Sequence, residues 1–155
     1  MELLKEKFKA KAEAAGLEIK EIIKTHGAKK VGEVTLSQVY QGMRGITGLV
    51  TETSLLDAQE GIRFRGYSIP ELQARLPKAP GGGEPLPEGL FHLMLLGELP
   101  NQEDVEMITN IWQRRSHVPN HVFATIDALP ISTHPMTMFV TGVMALQTES
   151  NFAKA

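Results

Sequence analysis

The chain has no cysteine among its 155 residues. This absence excludes a disulfide framework, a thiolate zinc site and a cysteine nucleophile. The chain also has no apolar run that approaches the ~20 residues of a membrane-spanning helix. Its net charge of −2 provides no overall attraction for nucleic acid or for an anionic membrane. We therefore expect neither nucleic acid nor a membrane as a partner.

Charge is unevenly distributed, because residues 1–30 hold eight lysines against five glutamates. This pattern favours a solvated helix face, with a docking surface for an acidic partner as the alternative. The same segment lacks the apolar stretch of a secretory signal. Its glutamates exclude an intact mitochondrial presequence, which avoids acidic residues. We therefore expect no presequence in this chain.

The spacing of apolar residues predicts a mainly helical protein. The length fits one domain, and 42% hydrophobic with 22% charged residues is ordinary for a globular fold. The loop-like stretch 77–87 reads as a surface loop rather than a domain linker. Helices are predicted over residues 1–24, 69–76, 86–96, from 101 to the Arg114-Arg115 pair, 119–126, and from Pro135 onward.

Local signals define several of these boundaries. Ser68 and Glu71 form a capping box before one helix, and Asn101 with Asp104 caps another. Gly97 ends the helix that precedes it. The helix that starts at Pro135 has no stop signal, so we expect it to continue toward residue 155. Along the helix after Asn101, the residues predicted to face inward are Val105, Ile108, Ile111 and Trp112.

A small β-hairpin is predicted near residues 49–65. Residues 51–56 and 62–64 have β-like composition and are separated by a loop of hairpin length. Two strands alone would be marginal, so the hairpin must pack on helices.

Motifs for catalysis and metal binding are missing. The histidines show no HExxH spacing, and Pro119 prevents His117 and His121 from sharing a helix face. Gly81-Gly82-Gly83 is not followed by the Lys-Ser/Thr of a phosphate loop. We therefore predict no metal site and no catalytic residue. His92 is interpreted as a core histidine, and His134 as a helix-entry residue.

Arg44 is the candidate ligand-binding residue. It lies in a Gly-Met-Arg-Gly turn, where Gly42, Gly45 and Gly48 are spaced three apart and suit positive φ angles. A planar, permanent cation beside exposed backbone N–H groups suits phosphate groups. Taken alone this signal is weak, because a lone arginine in a turn is usually structural or solvated.

Four segments together resemble the citrate synthase family in its mitochondrial form. They are VYQGMRGITGLVTETSLLDAQEGIRFRGYSIPELQARLP at 39–77, GGGEPLPEGLF at 81–91, THPM at 133–136 and ALQTESNFAKA at 145–155. The likeness covers roughly residues 30–155. It implies the helical N-terminal part of the family's large domain, so residues 1–155 are expected to be an incomplete part of a single domain.

The resemblance also implies a function. The family condenses acetyl-CoA with oxaloacetate to citrate and CoA in the tricarboxylic acid cycle, as homodimers in the mitochondrial matrix. Acetyl-CoA and CoA are substrate and product, and no permanently bound cofactor is expected. The position of Arg44 matches a family arginine that contacts the CoA phosphates, within its own subunit or across the dimer. The family's catalytic residues lie beyond residue 155, so the chain alone is expected to be inactive.

Two alternatives remain open at this point. The chain could be a non-catalytic helical interaction or scaffold module. Within the enzyme class, a 2-methylcitrate synthase is possible, because the residues that select the acyl chain are not in this segment. Under the leading interpretation, the helices at Leu86–Leu96 and Pro135–Leu146 are expected to leave exposed apolar patches.

Overall fold

A computed structural model describes residues 2–154 of the chain. Within these residues α-helices dominate, which confirms the mainly helical prediction, and a small antiparallel sheet accompanies them. None of the helices in this part of the chain combines the length and apolar character that a membrane crossing requires. The elements are α1 (Glu2–His26), α2 (Leu36–Tyr40), β1 (Ser54–Asp57), β2 (Gly61–Phe64), β3 (Tyr67–Ser68), α3 (Ile69–Arg75), α4 (Pro87–Leu96), α5 (Gln102–Arg114), α6 (Asn120–Asp127) and α7 (Pro135–Ala145).

The chain divides between Ile111 and Trp112 into two compact units. The first unit contains the sheet and the helices up to most of α5. The second contains the end of α5 with α6 and α7.

The hairpin forms as predicted, with a third strand that the sequence did not indicate. β1 pairs antiparallel with β2 from Ser54↔Phe64 to Asp57↔Gly61, and β3 adds to the free edge of β2. The Asp57 carboxylate accepts hydrogen bonds from the amides of Gln59 and Glu60, both at 2.8 Å. The amide of Glu60, followed by that of Gln59, holds the pKa of Asp57 below its usual value.

The core of the first unit lies between α3 and α4. Leu72 and Leu76 of α3 pack with Leu93 of α4, and the hydrophobic residues Phe64, Tyr67, Leu90 and Leu99 surround them. The predicted capping box is confirmed, since Ser68 Oγ accepts from the Glu71 amide and the Glu71 carboxylate accepts from the Ser68 amide. Gly97 adopts a left-handed conformation and ends α4, as predicted.

α5 contributes the remaining fully buried side chains of this unit. Val105 and Ile108 are both 0% exposed. The predicted Asn101–Asp104 cap is confirmed, because the Asp104 amide donates to Asn101 Oδ1 at 2.9 Å. The prediction that Trp112 faces inward is wrong, since its side chain is 38% exposed. Its spacing from Val105 and Ile108 suits their helix face, but Trp112 is the first residue of the second unit.

Residues 77–87 form a loop closed on itself. Lys78 and Pro85 make an isolated antiparallel bridge, and the Leu86 amide donates to the Pro77 carbonyl at 3.0 Å. This closure brings the end of α3 and the start of α4 together.

In the second unit α6 packs against α7 at a close crossing. A Cβ atom added to Gly142 would lie 2.9 Å from Ile126 Cδ1, so the Ile126 side chain would have to shift to admit it. The expectation that α7 continues toward residue 155 is wrong. The α-helix ends at Ala145, and 3₁₀ turns follow at Leu146–Glu149 and Phe152–Lys154.

Two hydrogen bonds accompany this ending. The Ala145 carbonyl contacts the His121 Nε2 atom at 3.0 Å, and Ser150 Oγ accepts from the Ala153 amide at 3.3 Å. Serine side chains that bond nearby backbone amides compete with the helical pattern. Neither contact is visible as a glycine or proline signal.

Candidate functional site

The candidate site is the turn that follows α2, and the capping of this helix fixes where the turn begins. The Gln38 amide donates to Thr35 Oγ1 at 3.3 Å, and the Thr35 amide donates to Gln38 Oε1 at 3.0 Å. This reciprocal capping box satisfies free amides at the start of a five-residue helix. The helix can therefore form although none of its residues is buried.

The end of α2 is a Schellman motif. The Met43 amide donates to the Gln38 carbonyl at 2.8 Å, and the Gly42 amide donates to the Val39 carbonyl at 3.3 Å. These are the two bonds that define the motif when the residue after the helix cap is left-handed. Gly42 has φ 74° and meets that requirement without steric cost.

The left-handed backbone continues beyond the glycine. Met43 has φ 63° and Gly45 has φ 74°. The predictions of positive φ at Gly42 and Gly45 are confirmed, but the one for Gly48 is wrong, because Gly48 lies after the chain reversal. Met43 takes up a conformation that costs a non-glycine residue about 1–2 kcal/mol. The turn is therefore strained at the residue before Arg44.

Arg44 is displayed at the surface of this turn. Its side chain is exposed and makes no hydrogen bond or ion pair with any of the described residues. Within residues 2–154 the amides of Arg44 and Gly45 also donate to no backbone carbonyl. The expectation of exposed N–H groups thus holds for Arg44 and Gly45. It is wrong for Gly42 and Met43, whose amides cap α2.

A cleft of about 380 Å³ borders the turn on one side. It lies between residues 31–34 and residues 45–47. It is lined by the apolar side chains of Val31, Val34 and Ile46 and by one carboxylate, that of Glu33. Arg44 itself does not line this cleft. The guanidinium and the cleft are therefore adjacent features rather than one pocket.

The histidines occupy structural positions. His92 is 2% exposed, and its Nδ1 atom lies 3.1 Å from the Glu98 carbonyl oxygen. His134 caps α7, because its Nδ1 atom accepts from the Met136 amide at 3.2 Å, which confirms the helix-entry prediction. Pro119 caps α6, so His117 lies outside the helix that carries His121. Across the described residues, no three acidic or histidine side chains gather where they could hold a metal ion.

His92 is only partly satisfied, which the core interpretation did not anticipate. Its Nε2 atom is buried without a hydrogen-bond partner and lies 3.7 Å from Asp104 Oδ1. Asp104 also accepts a contact from Lys7 Nζ at 3.5 Å. Lys7, His92 and Asp104 are far apart in sequence, so no local pattern could have shown that they meet.

Arg65 is a second arginine whose role sequence reasoning missed. Its Nη2 and Nε atoms donate to the Met94 carbonyl at 2.8 and 3.2 Å, close to the end of α4. Its Nη1 atom lies 3.6 Å from Glu52 Oε2. An arginine at a helix C-terminus satisfies free carbonyls and interacts well with the helix dipole. Arg65 is therefore an anchor of the fold, in contrast to Arg44.

The chain is similar to a known protein family and to several curated proteins. The family described as "Citrate synthase, C-terminal domain" matches residues 42–155. The mitochondrial citrate synthase of Daucus carota is 56% identical over 137 residues, which are 88% of this chain and 29% of that protein. That of Aspergillus niger is 52% identical over 152 residues, which are 98% of this chain and 32% of that protein.

A third relative is similar to about the same degree. The mitochondrial citrate synthase of Kajikia audax is 51% identical over 137 residues. The chain spans about three-tenths of the length of these curated relatives, 29–32% in each case. The family match covers the Arg44 turn, the sheet and helices α3 to α7. The chain therefore belongs to the citrate synthase family.

Proposed function

We propose that this chain is part of an enzyme that condenses acetyl-CoA with oxaloacetate to give citrate and CoA. Family membership supports this reaction class, and the family's mitochondrial relatives support a place in the mitochondrial matrix. We further propose that the intact protein is a homodimer and that this segment supplies no catalytic residue. CoA and acetyl-CoA are then substrates and products, with no permanently bound cofactor.

Within this proposal Arg44 binds the phosphate groups of CoA. The observation that carries the assignment is the unpaired guanidinium on a turn whose own amides at Arg44 and Gly45 are also free of backbone partners among the described residues. A phosphate oxygen can accept from the guanidinium and from such amides together. Arg63 and Arg65, by contrast, already face carboxylates at 2.9 and 3.6 Å.

The test is the kinetics of the intact parent protein carrying Arg44→Ala. A charge-assisted hydrogen bond contributes about 1.5–3 kcal/mol where it is well formed. For an exposed contact we expect the lower end, which is a KM for acetyl-CoA raised about 10-fold. The KM for oxaloacetate should stay within twofold, because Arg44 does not contact that substrate in this proposal.

Arg114→Ala is the matched control. Arg114 is also an exposed arginine without an ion pair among the described residues, so its loss removes the same charge. It should leave both KM values unchanged. An unchanged KM for acetyl-CoA in Arg44→Ala, or an equal rise in both variants, would remove the assignment.

A non-catalytic interaction module is the second candidate. It is favoured by the exposed apolar face of α7, where Phe139 is 64% and Met144 is 67% exposed. The expectation of exposed apolar residues on this helix is confirmed. CoA release by the intact protein with oxaloacetate and acetyl-CoA would exclude the module. Preferential turnover of propionyl-CoA would instead indicate the 2-methylcitrate reaction.

A further inference from the structure

The N-terminal helix α1 is attached to its unit in an unusual way. None of its 25 residues is buried. Residues 7–15 of α1 contact the end of α4, Glu98 and Asp104. After α1 and its terminal turn, residues 29–35 contain no helix or strand. The segment that follows α1 therefore contains no regular element before α2 begins.

Two lysines make the closest contacts between α1 and the unit. Lys11 Nζ lies 2.8 Å from Glu98 Oε1, and Lys7 Nζ lies 3.5 Å from Asp104 Oδ1. The two lysines are four residues apart and so share one face of the helix. The hydrogen bond and charge of Lys11 hold the pKa of Glu98 below its usual value.

Apolar packing between α1 and α4 is incomplete. Phe8, Ala12 and Ala15 face the Leu95–Gly97 end of α4 across an open cleft of about 440 Å³. Phe8 remains 46% exposed. Burial scales with apolar area removed from water, so this contact stabilises far less than the closed contact between α3 and α4. The two partly exposed ion pairs therefore supplement an apolar contact that is itself incomplete.

Among the described residues, the second half of α1 contains no buried residue. Its large apolar side chains remain at least half exposed: Leu17 69%, Ile19 52%, Ile22 51% and Ile23 62%. The lysine pairs thus lie at one end of a long helix whose other end makes no such contact with the described residues.

We propose that α1 is a strap held by charge, which docks through Lys7 and Lys11 and releases as a unit when these pairs are screened or lost. Release uncovers Leu95 and Leu96 at the end of α4 and opens the cleft that also contains Arg65. This device is independent of the Arg44 assignment. The lysine-rich start of the chain thus serves as a docking surface for acidic groups of the same chain.

Hydrogen exchange followed by mass spectrometry tests the strap in the intact protein. In Lys7→Gln/Lys11→Gln, amides of residues 2–26 should exchange roughly threefold to tenfold faster than in the unchanged protein, while α5 keeps its protection. The matched control is Lys9→Gln/Lys20→Gln. It removes the same charge from the same helix, but Lys9 pairs only within α1, with Glu13 at 3.9 Å, among the described residues. In the control variant, exchange of the α1 amides should stay within twofold of the rate in the unchanged protein.

Salt and charge reversal give two further readouts. Raising ionic strength from about 0.15 M to about 1 M shortens the screening length from about 8 to about 3 Å, and should accelerate exchange in α1 of the unchanged protein but not in the Lys7/Lys11 variant. Lys11→Glu combined with Glu98→Lys should restore part of the protection that Lys11→Glu alone loses. Equal exchange in the two double-lysine variants, or no response to salt, would overturn the proposal.

Discussion

The Arg44 turn and helix α4 are held in shape by different forces. In α4, Leu93 is 0% and Leu96 is 3% exposed, so burial against α3 and its surroundings fixes the helix. No residue from 31 to 50 is buried. That region is shaped by a capping box, a Schellman motif and left-handed residues, all of them local.

This difference separates stability from function in the two regions. A side chain displayed by a local backbone motif can be changed without opening a core. A buried side chain cannot be changed without leaving a cavity. We therefore expect substitutions in α4 to alter the free energy of unfolding, and substitutions of Arg44 to alter binding alone.

The largest expected effect comes from Leu93→Ala. Removing a fully buried leucine side chain typically lowers the free energy of unfolding by about 2–5 kcal/mol. Urea denaturation of the intact protein, followed by circular dichroism, measures the change. Leu56→Ala is the matched control, since Leu56 is 76% exposed and should change stability by less than about 0.5 kcal/mol. Equal losses in the two variants would contradict a core at α4.

A smaller effect is expected from Gly42→Ala. A Cβ at Gly42 meets no atom within 4 Å, so any cost comes from the left-handed backbone alone, at about 1–2 kcal/mol. Gly83→Ala is the control, because Gly83 has equally open space without a positive φ. The loss should appear as faster hydrogen exchange in residues 36–46. If Gly83→Ala has the same effect as Gly42→Ala, the left-handed turn is not what shapes this region.

The smallest effect concerns the β1–β2 turn, which is also built locally. The lowered pKa of Asp57 means that its ionised form is favoured in the folded state. The stabilisation that ionised Asp57 gives the turn is therefore present above pH 3.8, the ordinary pKa of the group. It is lost as pH falls through the lower pKa of the folded state. We expect the amides of Gln59 and Glu60 to lose protection below about pH 4. Asp57→Asn should remove this pH dependence, and an equal pH response in that variant would contradict the assignment.

The parts of the fold predicted from sequence are those set by local chemistry. Capping residues such as Ser68 and Glu71 lie three apart, and a helix-ending glycine such as Gly97 acts on its own neighbours. Some of the missed features depend on distant partners. Lys7 meets Asp104 across 97 positions, and no pattern within one element reports such a pair.

The candidate site differs, because the features missed there are local. The turn and its exposed arginine could be predicted from Gly-Met-Arg-Gly. The sequence did not predict that the Gly42 and Met43 amides bond to carbonyls at the end of α2, because this depends on the Schellman geometry. The left-handed Met43 was also unexpected, since only glycines were assigned positive φ. Family resemblance, rather than spacing, connected Arg44 with CoA.

The central claim is that Arg44 binds a phosphate of CoA without stabilising the fold, and calorimetric titration of the intact protein tests it most directly. Arg44→Gln should bind CoA about 10-fold more weakly than the unchanged protein, with an unchanged free energy of unfolding. The same titration with dephospho-CoA, which lacks the 3′-phosphate, identifies the group contacted. If the affinity difference between the two proteins shrinks, Arg44 contacts the 3′-phosphate. If the full affinity difference remains, Arg44 contacts the diphosphate. Equal CoA affinity in both proteins, or a matching loss of stability in Arg44→Gln, would contradict the claim.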